Sequence, residues 1–227
     1  MKIVLINGQN HKGTTHHIAR MLIDQLDGDV TEFFLPWDFG AFCTGCAQCI
    51  RRDEVLCPHA KALAPITRAM DAADVLIFTT PVYVYHATGA MKTFLDHYGW
   101  RWIIHRPEPS MFKKQAVVLA TAAGAGMKSA IKDVQDSLFF WGVGKIYTFG
   151  IATHADAYAH MTEKKQRRTA RAVSKIAERI KIRVGRVRPG LKTRLFFRFY
   201  RKFILGHLPA NDQAYWAETG LKQHVPW

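Results

Sequence analysis

Residues 73–96 read ADVLIFTTPVYVYHATGAMKTFLD, and their order sets the architecture. The run from Ala73 to Thr79 is apolar without the alternation of a half-solvated strand, which predicts a strand buried on both faces of a parallel sheet. Pro81 cannot donate to a ladder and stops it. An aromatic turn carrying Tyr83 and Tyr85 follows, and then a helical pattern over 88–98. Strand, turn and helix in that order form half of a parallel crossover unit.

The same unit recurs in both directions. Lys2–Asn7 is a short aliphatic strand ending at Asn7-Gly8, and 14–26 places Ile18, Met21, Leu22 and Leu26 at helical spacing. Residues 30–35 read as a second strand, 60–70 as a helix, 115–121 as a fourth strand, 127–140 as a helix, 145–151 as a fifth strand and 163–184 as a long helix. Five alternations predict an open parallel sheet wound on both faces. Such sheets bind ligands in the crevice at the carboxyl ends of their strands.

Three of those strand-end loops carry chemistry. After the first strand comes Gly8-Gln9-Asn10-His11-Lys12-Gly13-Thr14-Thr15. Its glycines permit close backbone approach, Thr14 and Thr15 are expected to cap the next helix, and the helix N-terminus suits a phosphate. It is neither a Walker A loop, since no lysine follows the second glycine, nor a G-x-G-x-x-G fingerprint. An ordinary capped βα turn reads equally well there. After the third strand, Thr80, Pro81, Val82, Tyr83, Tyr85 and His86 form a loop able to edge a planar ring or to pack against a neighbouring helix. After the fourth, Thr121, Ala123, Gly124 and Gly126 leave room and bare N–H donors. No paired-carboxylate or Ser-His-Asp pattern stands out.

Segments 8–15, 43–57, 73–96 and 121–126 together resemble the flavodoxin-like NAD(P)H-dependent FMN reductases, and within them the iron–sulfur flavoprotein branch. The resemblance spans about residues 1–180. It implies a five-stranded α/β sheet in the order 2-1-3-4-5, with FMN at the strand ends and NAD(P)H as electron donor. Gln9, His11, Gly13, Thr14 and Thr15 would hold the phosphate. Pro81, Val82, Tyr83, Tyr85 and His86 would line the isoalloxazine, with Ala123, Gly124 and Gly126 at its other edge. Where the family often has Ser-x-Arg this chain has Gln9-Asn10-His11, so an imidazole stands in place of a permanent charge. FMN binding is therefore expected to be weak and to tighten as pH falls, unless Lys12 supplies the charge; a pH-independent titration would remove His11 from the phosphate site.

All four cysteines lie in one loop, Cys43, Cys46, Cys49 and Cys57, spaced C-x2-C-x2-C-x7-C. Free structural or redox-active thiols, four-thiolate zinc and an iron–sulfur cluster all suit that spacing. The resemblance implies a [4Fe–4S] cluster on these four. Among the histidines, the adjacent His16 and His17 diverge on a helix, and His59 beside Cys57 is a candidate substitute ligand that reads first as solvent-facing or capping. His97, His105, His154 and His160 show no ligand spacing.

Charge is concentrated at one end. The net charge is +14; residues 164–202 contain sixteen Lys or Arg against the single acid Glu178, so the remainder is nearly neutral. Within 186–206, Arg194, Arg198, Arg201 and Lys202 fall on one helical arc, opposite Leu195, Phe196, Phe197, Phe199, Tyr200, Phe203 and Ile204. That pattern fits a helix packed on the domain or a dimer mate, or a peripheral helix on an anionic membrane. It speaks against nucleic acid, because the aromatics do not interleave with the charges. The final 215–220 resembles the C-terminal segment of some clostridial-type flavodoxin-family reductases, which implies that it folds back as a cover.

The chain thus divides into a flavodoxin-like domain, 1–184, with the cysteine loop 43–57, and a basic amphipathic extension, 185–227. With 48% hydrophobic residues and no long uncharged apolar run, it reads as a soluble cytoplasmic protein. The expectation is an oxidoreductase and homo-oligomer passing electrons from a reduced nicotinamide through FMN to an unidentified acceptor. The alternatives are a cluster-free quinone or nitro-compound reductase, and a non-catalytic flavin electron carrier or redox sensor.

Overall fold

The computed structural model describes all residues, 1–227. Five parallel strands, β1 (Lys2–Asn7), β2 (Asp29–Phe34), β3 (Val75–Pro81), β4 (Gln115–Ala122) and β5 (Lys145–Ala152), form one sheet in the order β2-β1-β3-β4-β5. The expected order holds, and it reverses at β1 and β3. Both central strands β3 and β4 are almost wholly buried, as their unbroken apolar runs require.

Helices cover both faces. On one face α3 (Ala60–Ala72), α4 (Gly89–Asp96) and α5 (Met127–Phe140) pack on Val4, Ile6, Leu76, Phe78 and Val118. On the other, α1 (Thr14–Ile23) and α6 (Glu163–Arg183) pack on Ile3, Leu5, Ile77, Val117 and Leu119. Odd and even strand positions thus feed separate cores, the two-residue period of a strand. The first helix ends three residues before its apolar pattern does, because Gln25 and Leu26 turn back on the carbonyls of Leu22 and Ile23. Leu26 is buried all the same.

The cysteine loop contains one short helix, α2 (Gln48–Arg51). Beyond α6, the chain forms α7 (Leu191–Phe199), widens into a π-type turn over Tyr200–Ile204, and ends with α8 (Ala210–Glu218). A third core holds these pieces to the domain: Phe197 stacks on Trp216 at 5.1 Å between ring centres, with Ile103, Phe112, Leu205 and Leu221 around them. Trp216 donates its indole N–H to the His105 carbonyl at 2.6 Å. Each fully buried aromatic here contributes roughly 2–3 kcal/mol. No helix of the structure is long and apolar enough to cross a membrane.

Candidate functional site

The loops after β1, β3 and β4 meet at the carboxyl ends of the strands and are tied to one another. Gly8 donates its N–H to the Thr79 carbonyl at 2.7 Å, and a Cβ at Gly8 would come within 2.8 Å of that oxygen. Only glycine fits this approach. Thr88, the residue preceding α4, donates its hydroxyl to the Gly8 carbonyl and caps its own helix by accepting from the Met91 N–H at 3.1 Å. The Thr88 N–H donates to Thr80 Oγ1 at 3.0 Å. Thr15 and Thr121 share a short hydroxyl–hydroxyl hydrogen bond, joining the first loop to the third. The Val82 N–H donates to the Thr121 carbonyl at 2.8 Å, joining the second to the third.

The threonines of the first loop do not cap α1 as expected. Gly13 is the capping residue, no side chain caps the helix, and Thr15 is committed to Thr121. The first-turn N–H groups of α1 therefore carry no capping oxygen, and they present a partial positive charge at the mouth of the crevice. Gln9 is nearly buried and donates to the His11 carbonyl at 3.2 Å. His11 and Thr14 border the same opening, with His11 exposed.

In the second loop, Tyr83 and His86 exchange backbone hydrogen bonds of 3.1 Å around Val84 and Tyr85, which have φ of 48° and 68°. Left-handed backbone at two consecutive side-chain-bearing residues, one of them β-branched, is costly and is commonly retained where a loop must hold a shape. The turn projects Tyr83, Val84 and Tyr85 into solvent. Its base is held by Asp133 on α5, which accepts from the Ala87 N–H and pairs with His86 Nδ1, both at 3.0 Å. The His86 ring is thus bonded toward α5. Gly126, at φ 93°, lies so close to this turn that a Cβ would reach within 2.7 Å of Val82 and 3.0 Å of Tyr85. Ala123 and Gly124 are exposed beside it.

The result is an open shelf with an uncapped helix end at one side, aromatic side chains on a fixed turn at another, and small residues along the third. It fits a flat ring system bearing a phosphate. Sequence reasoning missed Thr88, Asp133 and the Thr15–Thr121 tie. Thr88 had a signal, a threonine placed just before a helix; the other two join residues far apart in the chain.

The four cysteines are unpaired, and with His59 and His97 all of them line one small cavity. Gly45, at φ 69° with open space around it, makes the turn between Cys43 and Cys46. The Cys46 thiol is held below its ordinary value chiefly by the N–H of Gln48. Burial pushes the Cys49 thiol up, and neighbouring thiolates at Cys57, Cys43 and Cys46 push it further. A bound cation would reverse that repulsion. Four thiols around one cavity are the donor chemistry of a thiolate-ligated metal centre, although no three of the sulfurs come within 4.8 Å of one another.

Two histidines that carried little weight in the sequence line the same cavity. His59 Nδ1 and His97 Nε2 lie 2.9 Å apart, and donor atoms of Cys57, His59 and His97 come within 4.8 Å of one another. His97 is buried and donates from Nδ1 to the Thr93 carbonyl at 2.8 Å. Its Nε2 lone pair therefore faces His59, which donates to it. His59 precedes α3 but its side chain does not cap the helix; it turns inward to His97 instead. His16 and His17 diverge as expected, to Glu32 and Tyr158.

The C-terminal segment clamps the cysteine loop. Buried Arg106 donates to the Cys49 carbonyl and to Asp212, and to Glu54 at 3.2 Å. Asp212, completely buried, also accepts from His105 at 2.9 Å. Asn211 donates to the carbonyls of Ile50 and Arg52 at 3.1 and 2.6 Å. A second cavity of about 270 Å³ opens on the far side of Cys57, walled by Leu63, Tyr98, Trp100 and Tyr215.

The family model described as NADPH-dependent FMN reductase matches residues 1–155, which contain all three shelf loops and the cysteine loop. The chain belongs to that family. It is an NAD(P)H-dependent FMN oxidoreductase by membership. Among curated proteins, an iron–sulfur flavoprotein of Archaeoglobus fulgidus is 25% identical over 186 residues, covering 79% of each chain. An NADPH azoreductase of Bacillus sp. (strain OY1-2) is 28% identical over 142 residues, 61% of this chain and 68% of that protein. Among solved structures, an NADH:FMN oxidoreductase in its apo form superimposes with a TM-score of 0.54 at 19% identity, covering 85% of this chain and 92% of the other. At that identity the likeness speaks to the fold alone.

Proposed function

We propose that the shelf formed by the loops after β1, β3 and β4 binds FMN, and that the chain passes electrons from NAD(P)H to an acceptor by way of a [4Fe–4S] cluster on Cys43, Cys46, Cys49 and Cys57. The observation that carries the reading is the mutual tying of the three loops through Thr15, Thr88 and Thr121 in a chain of the FMN reductase family. Bound FMN supplies hydride acceptance and one-electron release, chemistry that amino-acid side chains lack. The chain's part is to orient and shield. Gln9, His11, Gly13, Thr14 and Thr15 border the phosphate end, where the α1 N–H groups favour an anion. Pro81, Val82 and Tyr83 form one wall, Ala123, Gly124 and Gly126 the other, and Asp133 keeps the Tyr85–His86 turn in place.

Support for the cluster comes from four free thiols lining one cavity and from the iron–sulfur name of the Archaeoglobus relative. Cys57 borders both that cavity and the larger apolar one, which gives a quinone or another small aromatic acceptor an approach to the centre. Anaerobic purification with flavin, iron and acid-labile sulfide quantitation tests both halves. The expected preparation is brown-yellow, contains FMN, and has iron and sulfide in equal amounts that disappear together in Cys46→Ser. Colourless protein that takes up no added FMN would falsify the flavin site; FMN without iron would leave a cluster-free quinone or nitro-compound reductase.

His11 offers a finer check. His11→Arg restores a permanent, planar donor at the phosphate end, and the FMN dissociation constant is expected to fall about tenfold, or ~1.4 kcal/mol. Fluorescence quenching of FMN on titration measures it. An unchanged constant would take residue 11 out of the phosphate site.

A further inference from the structure

The sequence pattern of residues 191–204 suggested one broad apolar face, and the folded chain divides it in two. Phe197 is completely buried against Trp216 and Phe112. Phe196 and Tyr200 lie half-buried beside it, and Phe196 packs on Phe139 and Phe140. This side docks the helix on the domain. Leu191, Leu195, Phe199 and Phe203 are left on another side, and they are 69%, 55%, 51% and 55% exposed. They recur every fourth residue, so they form a file along the helix and its π-type turn. The Phe199 and Phe203 rings touch, 5.3 Å between centres.

An outward apolar file of this length needs a reason, because the docking face already satisfies the helix's amphipathic requirement. Its surroundings are basic. Lys192, Arg198 and Lys202 stand exposed beside the file, within the segment 164–202 that holds sixteen basic residues and one acid. A second copy is a poor cover: symmetric pairing through this face would bring two such segments together, and like charges across an interface repel. Nucleic acid would meet the basic residues but leave the aliphatic and aromatic file against phosphates. A bilayer surface satisfies both chemistries at once, with apolar side chains entering the acyl boundary and Lys and Arg held at anionic headgroups.

We propose that α7 and its π-type turn form a peripheral membrane-binding element, seated through Leu191, Leu195, Phe199 and Phe203 on a bilayer that carries anionic phospholipid. The seat leaves the shelf free. α7 packs on Phe112, ahead of β4, and on Phe139 and Phe140 at the end of α5, so it lies toward the amino ends of the strands, whereas the shelf lies at their carboxyl ends. A membrane-bound chain keeps its flavin loops in water while an acceptor dissolved in the bilayer lies close to the domain. This inference is independent of the cofactor reading.

The test is co-sedimentation of the full chain with vesicles of phosphatidylcholine alone and of phosphatidylcholine with phosphatidylglycerol. Binding is expected only to the mixed vesicles and weakens steeply with salt. Replacing exposed Phe199 and Phe203 together by serine is expected to cut the vesicle affinity at least tenfold, and Arg198→Gln with Lys202→Gln by about fivefold or more per charge. Both variants should keep wild-type melting temperature, FMN content and NAD(P)H oxidation, because these side chains are exposed, lie outside the buried docking contacts and do not touch the shelf. Failure of the wild-type chain to bind mixed vesicles overturns the proposal. So does a Phe199/Phe203 double variant that binds as well as wild type. A wild-type dimer that the same double variant dissociates, without vesicle binding, would assign the file to a second copy instead.

Discussion

Replacing Asp212 by alanine is expected to destabilise the chain by about 3–5 kcal/mol and, if the cysteine loop holds the proposed cluster, to strip its iron while leaving FMN in place. Asp212 is completely buried and holds both Arg106 and His105. Removing it leaves a buried guanidinium with one acidic partner, Glu54, and breaking a buried pair from one side costs that much because the other charge stays uncompensated. Arg106 in turn donates to the Cys49 carbonyl, so its loosening releases the short helix that carries Cys49. Asp212→Asn keeps an oxygen for one donor and should lose less. Thermal unfolding and iron-to-flavin ratio measure the two effects separately. Normal iron in a destabilised Asp212→Ala chain would mean that the C-terminal clamp serves stability and not the metal centre.

Thr88→Val is expected to weaken FMN binding at least tenfold and to lower stability by about 2–4 kcal/mol. Valine has nearly the same shape but leaves the Met91 N–H and the Gly8 carbonyl without the partner each has in the native chain. A lost helix cap costs about 1 kcal/mol, and each buried polar group left unsatisfied costs about 1–3 kcal/mol. The affinity loss follows because Thr88 is the bond between the first loop and the second, and the phosphate end moves relative to the ring end when it goes. Thr88→Ser keeps the hydroxyl and should restore most of the affinity. If Thr88→Val destabilises without changing the FMN dissociation constant, the shelf is held together by its other ties, chiefly Thr15–Thr121 and Val82–Thr121.

Both predictions concern residues that carried little weight in the sequence, and the reason is general to this chain. The sheet was legible because its signals are local. The apolar runs at 73–79 and 115–121, the proline that ends β3 and the glycines of the strand-end loops each act within a few residues, and parallel order follows from strands separated by helices. That the four cysteines share one cavity was legible because they all fall within fifteen residues of one loop. The three shelf loops were legible because a wound sheet of this order delivers the carboxyl ends of its strands to one crevice.

The bonds inside that crevice belong to register and helix docking. Thr15 meets Thr121 and Thr88 meets Gly8 because parallel pairing of β1 with β3 and of β3 with β4 brings the strand ends level. His97 reaches His59 because the end of α4 meets the start of α3 on one face of the sheet. The Arg106–Asp212 clamp needs the last helix to return across the domain. The apolar residues of α7 separate into a buried set and an exposed set only when Trp216 and Phe112 take one side of the helix. Composition and periodicity say which side chains avoid water; a neighbour from a distant part of the chain decides which of them succeed.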